Sequence, residues 1–139
     1  MLVTYKPEDG SEPTVWTWSP GRVLVSEAAI AEKVYGKSWE LFAAEVQQGS
    51  AAARRVLLWH LQRRAHPMLR FEDAPDFYAD QLVIEYDATE LRAMRDGLAT
   101  SGLPEVDRQI ALDAIEREIA AAEFRGAVAE GKAESSSGS

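Results

Sequence analysis

The chain has 139 residues, 46% of them apolar and 27% charged, the balance of a single soluble globular domain. It has no cysteine, which excludes a disulfide framework, a thiolate metal site and a cysteine nucleophile. Net charge is −8 but uneven: residues 51–70 hold five arginines and no acid, whereas from Phe71 onward sixteen acids face six basic residues. That acidic excess argues against a nucleic-acid binder, which needs a dominant basic face. The basic island is read either as a solvated helix face or as the site of an intramolecular or protein partner.

Residues 1–13 are polar, contain an early proline and lack the pattern of a secretory signal, so they are expected to be flexible. Residues 14–18 (TVWTW) and 22–25 (RVLV) alternate around Ser19-Pro20-Gly21, which predicts a β-hairpin with Trp16 and Trp18 on one face. Ser26 is the expected cap of a first helix that carries Ile30 and Val34 and stops at Gly36. Ser38 should cap a second helix with Trp39, Phe42, Ala43 and Val46 on one stripe, and Gly49 should end it. Ser50 can start a third helix over residues 51–65, and Pro67 forbids its continuation.

Winding that third helix at about 100° per residue places Ala53, Val56, Leu57, His60 and Leu61 on one side, with Arg64 in their midst. Arg55, Trp59, Gln62, Arg63 and His66 fall on the other. Trp59 lies four residues from both Arg55 and Arg63, so either can stack on the indole. Two readings of Trp59 stand at this point: a partner-binding anchor, or a second core layer under the hairpin. An Arg64 inside the apolar side would need a carboxylate, and Asp73 or Asp76 past the turn are the candidates.

Residues 82–86 (LVIEY) fit strand or helix alike. Asp87 and Glu90 have capping-box spacing, ahead of a helix striped by Leu91, Met94 and Leu98. A long helix is expected over residues 104–125. Leu112, Ile115, Ile119 and Ala122 form its main stripe, and Val106, Ile110, Ala114 and Ala121 a weaker second one, which means deep burial or another partner. Residues 126–139 are small and polar and are expected to be disordered. The fold class is therefore mainly α: about five helices in one domain over 14–125, with an N-terminal β-hairpin and a disordered C-terminal tail.

Catalytic signatures are missing. His60 and His66, six apart on one helix, cannot share a metal, and no phosphate loop or GxSxG occurs. Glu72, Asp73 and Asp76 are a carboxylate cluster, but acids near a turn usually cap it. No enzyme, cofactor or metal is expected. No run of about 18 apolar residues exists, so no membrane span is expected either.

The order of these elements has a counterpart. A tryptophan-bearing hairpin precedes Ser26-Glu27-Ala28, then Trp39-Glu40-Leu41-Phe42 and Gly49. The Ala-rich helix with Val56-Leu57-Leu58-Trp59 follows, then Arg63-Arg64, and His66-Pro67 leading into Phe71-Glu72-Asp73. From about Val15 to Pro75 this resembles the tail assembly chaperones of long-tailed, siphovirus-type bacteriophages, particularly those of actinobacterial hosts. The resemblance implies a helical, non-enzymatic protein of the host cytoplasm that is absent from the mature virion. Such proteins bind the tape measure protein, keep it soluble and help recruit tail tube protein. They commonly occur beside a longer, frameshifted form of themselves. The expected partner-binding residues are Arg55, Leu58, Trp59, Arg63, Trp16 and Trp18. A structural head–tail connector or completion protein of the virion is the alternative, and self-association is left open by the two-faced last helix.

Overall fold

A computed structural model describes the backbone of residues 1–137 and the side chains of residues 1–128. Among the described residues are five α-helices, α1 (Val25–Tyr35), α2 (Trp39–Gln48), α3 (Ala51–Gln62), α4 (Ala88–Ala99) and α5 (Glu105–Ser137), and three strands, β1 (Leu2–Tyr5), β2 (Thr14–Thr17) and β3 (Leu82–Glu85). The mainly α class is as the sequence predicts. Packing divides the chain into two compact units, one of Val3–Ile84 and one that joins Met1–Leu2 to the chain from Glu85 onward.

The helix boundaries in the first unit follow from their caps. Ser38 accepts from the Leu41 amide at 3.3 Å and Ser50 from the Ala53 amide at 3.2 Å, so each satisfies a donor that the first turn leaves orphaned. Gly36 and Gly49 close α1 and α2 at φ of 83° and 89°, a left-handed conformation that other residues adopt only at a cost. Two expectations need correction. α1 begins at Val25, with Leu24 rather than Ser26 at the cap position. Its buried residue is Ala31, while Ile30 and Val34 lie at the surface.

The β-structure also departs from the expected hairpin. Residues 20–22 form a single 3₁₀ turn and Val25 is already helical, so 22–25 is not a strand. β2 pairs instead with β1, inside the segment expected to be flexible, and β3 completes an antiparallel sheet in the order β2-β1-β3. The Lys6 amide donates to the Gln81 carbonyl at 2.8 Å at the end of the β1–β3 pairing. Residues 82–85 thus resolve as strand, because a central partner is there to receive their backbone donors and acceptors.

The core of the first unit is aromatic. Phe42 packs against Trp18 at 6.1 Å, Tyr35 at 5.2 Å and Trp39 at 5.1 Å between ring centroids, and Trp18 meets Trp39 edge-on at 5.9 Å. Trp39 is anchored by its indole N–H to the Pro20 carbonyl at 2.9 Å and by its amide to the Glu32 carboxylate at 2.7 Å. α3 runs through this core with six consecutive buried residues, Val56 to Leu61, so it is enclosed on all sides.

In the second unit, Leu91 of α4 packs with Ile115, Ile119 and Ala122 of α5, and Ala88 and Leu98 border them. The main stripe expected on the last helix is the buried one. Asp87 accepts from the Glu90 amide at 2.9 Å, and Glu90 accepts in return from the Asp87 amide at 3.1 Å, completing the capping box. α5 passes the end expected at Arg125, with Gly126, Ala127 and Val128 still helical. The rest of the expected disordered tail lies largely outside the described side chains.

We expect Asp87→Ala to lower stability by about 1 kcal/mol in urea denaturation followed by circular dichroism, and Asp87→Asn to lose less, because Asn caps equally well and gives up only the ion pair with the Met1 ammonium at 3.1 Å.

Candidate functional site

The six residues singled out for partner binding do not form an open surface. Trp18, Leu58 and Trp59 are buried, Trp16 and Arg63 are half-buried, and Arg55 is exposed. Trp59 belongs to the interior because the chain after α3 folds back over it. Its indole N–H donates to the Leu69 carbonyl at 2.9 Å, and its ring meets Phe71 edge-on at 5.7 Å. The two flanking arginines separate. Arg63 lies over Trp59 at 5.2 Å, whereas Arg55 lies over Phe71 at 4.8 Å. Arg63 also forms an ion pair with Glu27 at 3.0 Å, tying the end of α3 to the start of α1.

Arg64 is exposed rather than buried, and its guanidinium donates to the Thr17 carbonyl at 2.9 Å. The helical winding that placed it among apolar residues does not apply, because α3 ends at Gln62. Asp73, its expected partner, instead accepts from Arg70 at 2.9 Å. Asp76 accepts from the Phe77 amide at 2.9 Å. Glu72, Asp73 and Asp76 are all exposed. Among the described residues no cluster of three or more His, Cys, Asp or Glu side chains is placed to hold a metal, and no helix is long and apolar enough to cross a membrane.

His60 is the one polar residue buried in the core of the described chain, 5% exposed, with its ring edge-on to Trp39 at 5.4 Å. Burial pushes its pKa down from 6.5 to about 4; Arg64 and Arg63 nearby push the same way, and Glu27 opposes them. It forms part of the wall of a cavity of about 450 Å³, together with Arg22, Leu24, Glu27, Arg63 and Arg64. A second groove, of about 580 Å³, runs beside the 3₁₀ turn, α1 and α2 and is bordered by Val23, Val25, Ala29, Trp39 and Ala43. Trp39 borders the second of these grooves, and Trp59 lines neither. Neither cavity was legible from spacing: each joins residues 22–25 to helices whose relative placement no local pattern encodes.

A third feature is the outer side of α5. Val106, Ile110 and Phe124 are 72%, 64% and 71% exposed, and Val128 is exposed beside them. At 3.6 residues per turn these four fall within a sector of about 40°, over a length of about 33 Å. Ala114 and Ala121 continue the same side, with Arg117 between them. Val106, Ile110, Ala114 and Ala121 were the weaker second stripe in the sequence, and in the described structure Val106, Ile110 and Ala121 remain uncovered.

No family model, curated protein or solved structure matches this chain.

Trp59→Ala should destabilise the first unit by about 3–5 kcal/mol, since it opens a cavity and strands the Leu69 carbonyl. Trp59→Phe should cost less. Thermal denaturation separates the two. A second expectation concerns pH. Folded His60 stays neutral down to about 4 while the unfolded side chain protonates near 6.5. Between those values the unfolded chain holds more protons, so the stability present above pH 6.5 is lost as pH falls toward 4. The loss is at most about 3 kcal/mol. The difference in unfolding free energy between wild type and His60→Gln, measured across this window, should carry that slope.

Proposed function

We propose that this chain is a non-enzymatic tail assembly chaperone of a long-tailed bacteriophage, which shelters apolar helical segments of the tape measure protein in the host cytoplasm. The observation that carries the reading is the uncovered apolar stripe of α5. Residues large and apolar enough to be core material stand in solvent on one helix face, as two pairs each one turn apart. Exposed apolar residues aligned on one helix face, here interrupted by Arg117, mark a binding surface or an aggregation hazard, and a chain with net charge −8 has the self-repulsion to carry them without clumping. The likeness of residues 15–75 to that chaperone family supports the same role.

The mechanism is helix recognition. An amphipathic client helix lays its apolar face along Val106, Ile110, Phe124 and Val128, with Ala114 and Ala121 allowing close approach on either side of Arg117. The apolar groove beside Trp39 offers a second surface in the other unit. Two modest sites on one chain suit a long client that repeats similar segments, since several weak contacts on one polypeptide gain by avidity. Tail tube protein and a longer, frameshifted form of this chain are further partners under this reading.

The test is co-expression with the tape measure protein. Ile110→Asp combined with Phe124→Asp changes exposed positions only, so circular dichroism should stay as in wild type. The fraction of soluble tape measure protein should fall several-fold with the variant and as far again when the chain is omitted. A client that remains equally soluble in all three cases overturns the proposal. Recovery of the chain at fixed copy number in purified particles would favour the head–tail connector instead.

A further inference from the structure

The cavity where α3 ends and α1 begins has a chemistry that client holding does not use. Its volume of about 450 Å³ is in the range of pockets that take small organic ligands. Three guanidinium groups, Arg22, Arg63 and Arg64, stand in its wall against one carboxylate, Glu27. This is a local positive excess on a chain of net charge −8. Glu27 is already engaged, by Arg63 at 3.0 Å. Arg64 gives one N–H to the Thr17 carbonyl and pairs with no carboxylate among the described residues. Arg22 is exposed and makes no ion pair among them.

Two further features lie next to this space, the His60 ring in its wall and the start of α1. The Nε2 of His60 is buried and has no hydrogen-bond partner. A buried polar atom of this kind is uncommon and calls for an explanation such as a missing ligand. α1 starts beside it with Leu24 at the cap position, a side chain that cannot accept a hydrogen bond, so its first turn has no side-chain cap. Uncapped amides at a helix start, with the positive end of the helix dipole, favour an anion. Three arginines, a histidine ring and an uncapped helix start therefore lie around one space whose one lining carboxylate is already paired.

We propose that this cavity binds a single oxyanion group, a carboxylate or a phosphate, held by Arg22 and Arg64 beside the His60 ring. The site stands independently of what α5 binds. A bound anion next to His60 favours the protonated ring, so occupancy raises the pKa that burial and the arginines hold down. Ligand binding and protonation of His60 are then linked, each strengthening the other.

The chain has two histidines, and His66 is exposed, which gives an internal reference. The experiment is an NMR titration of the full chain, following both imidazole rings, with inorganic phosphate and with acetate at constant ionic strength against sodium chloride. The expected result is a saturable shift of the His60 ring that His66 does not follow and chloride does not produce. Arg22→Gln alters a side chain without an ion-pair partner and should keep the fold. It should weaken binding by about tenfold, as should Arg64→Gln, the loss of one charged hydrogen bond. Arg117→Gln on α5 should leave binding unchanged. Saturation by acetate alone identifies a carboxylate ligand, by phosphate alone a phosphate ligand, and either outcome sustains the site. Shifts that never saturate, that chloride reproduces, or that persist unchanged in both Arg22→Gln and Arg64→Gln overturn it.

Discussion

The contact of Phe42 with Trp18, Trp39 and Tyr35 is the constraint on which the first unit depends. Four rings from the β2 exit, the end of α1 and the first turn of α2 meet at centroid distances of 5.1 to 6.1 Å. Edge-to-face pairs of this type contribute about 0.5–1.5 kcal/mol each beyond the area they bury. Their larger effect is geometric, because rings packed at an angle fix how the elements that carry them can approach. Trp39 then passes the constraint outward. Its N–H holds the Pro20 carbonyl and its ring meets His60, so the 3₁₀ turn and α3 are positioned by the same residue. The two cavities lined by His60 and by Trp39 border that arrangement.

Local signals were readable and nonlocal ones were not. Ser38, Ser50, Gly36, Gly49 and the Asp87–Glu90 pair mark their helix ends because capping is chemistry among neighbours in sequence. The main stripe of α5 was readable for the same reason, since one helix face meets one partner face. The hairpin was misassigned because TVWTW states only that it wants a strand beside it, not which one. Its partner lies before it in the chain, in a stretch whose prolines and acids disguise four extended residues. Trp59 was left between two readings for a different reason. Two-sided winding assumes that a helix has an inside and an outside, and α3 has no outside over the six residues from Val56 to Leu61. The segment that covers Trp59 contains Leu69 and Phe71, which carry no pattern of their own.

The candidate surfaces show the same division. The apolar strip on α5 was visible as a second periodicity, although the sequence left open whether another element would cover it. The cluster of Arg22, Glu27, His60, Arg63 and Arg64 was invisible as a unit. Its members come from a turn, the first turn of α1 and the end of α3, and the fold rather than any spacing collects them. Arg64 in particular serves this cluster because α3 stops short of it.

The position of β1 in the middle of the sheet has a consequence for biosynthesis. Its two neighbours differ greatly in when they appear: β2 follows within a dozen residues, but β3 is more than seventy residues downstream. Until the polymer has been translated past Glu85, one side of β1 presents bare amides and carbonyls to whatever else is nascent. Such an open margin is a hazard for mispairing between growing chains on one messenger, and its closure is a late event governed by loop entropy. The three helices between β2 and β3 are made of contacts close in sequence and can form first, which shortens the effective distance that the last strand must search.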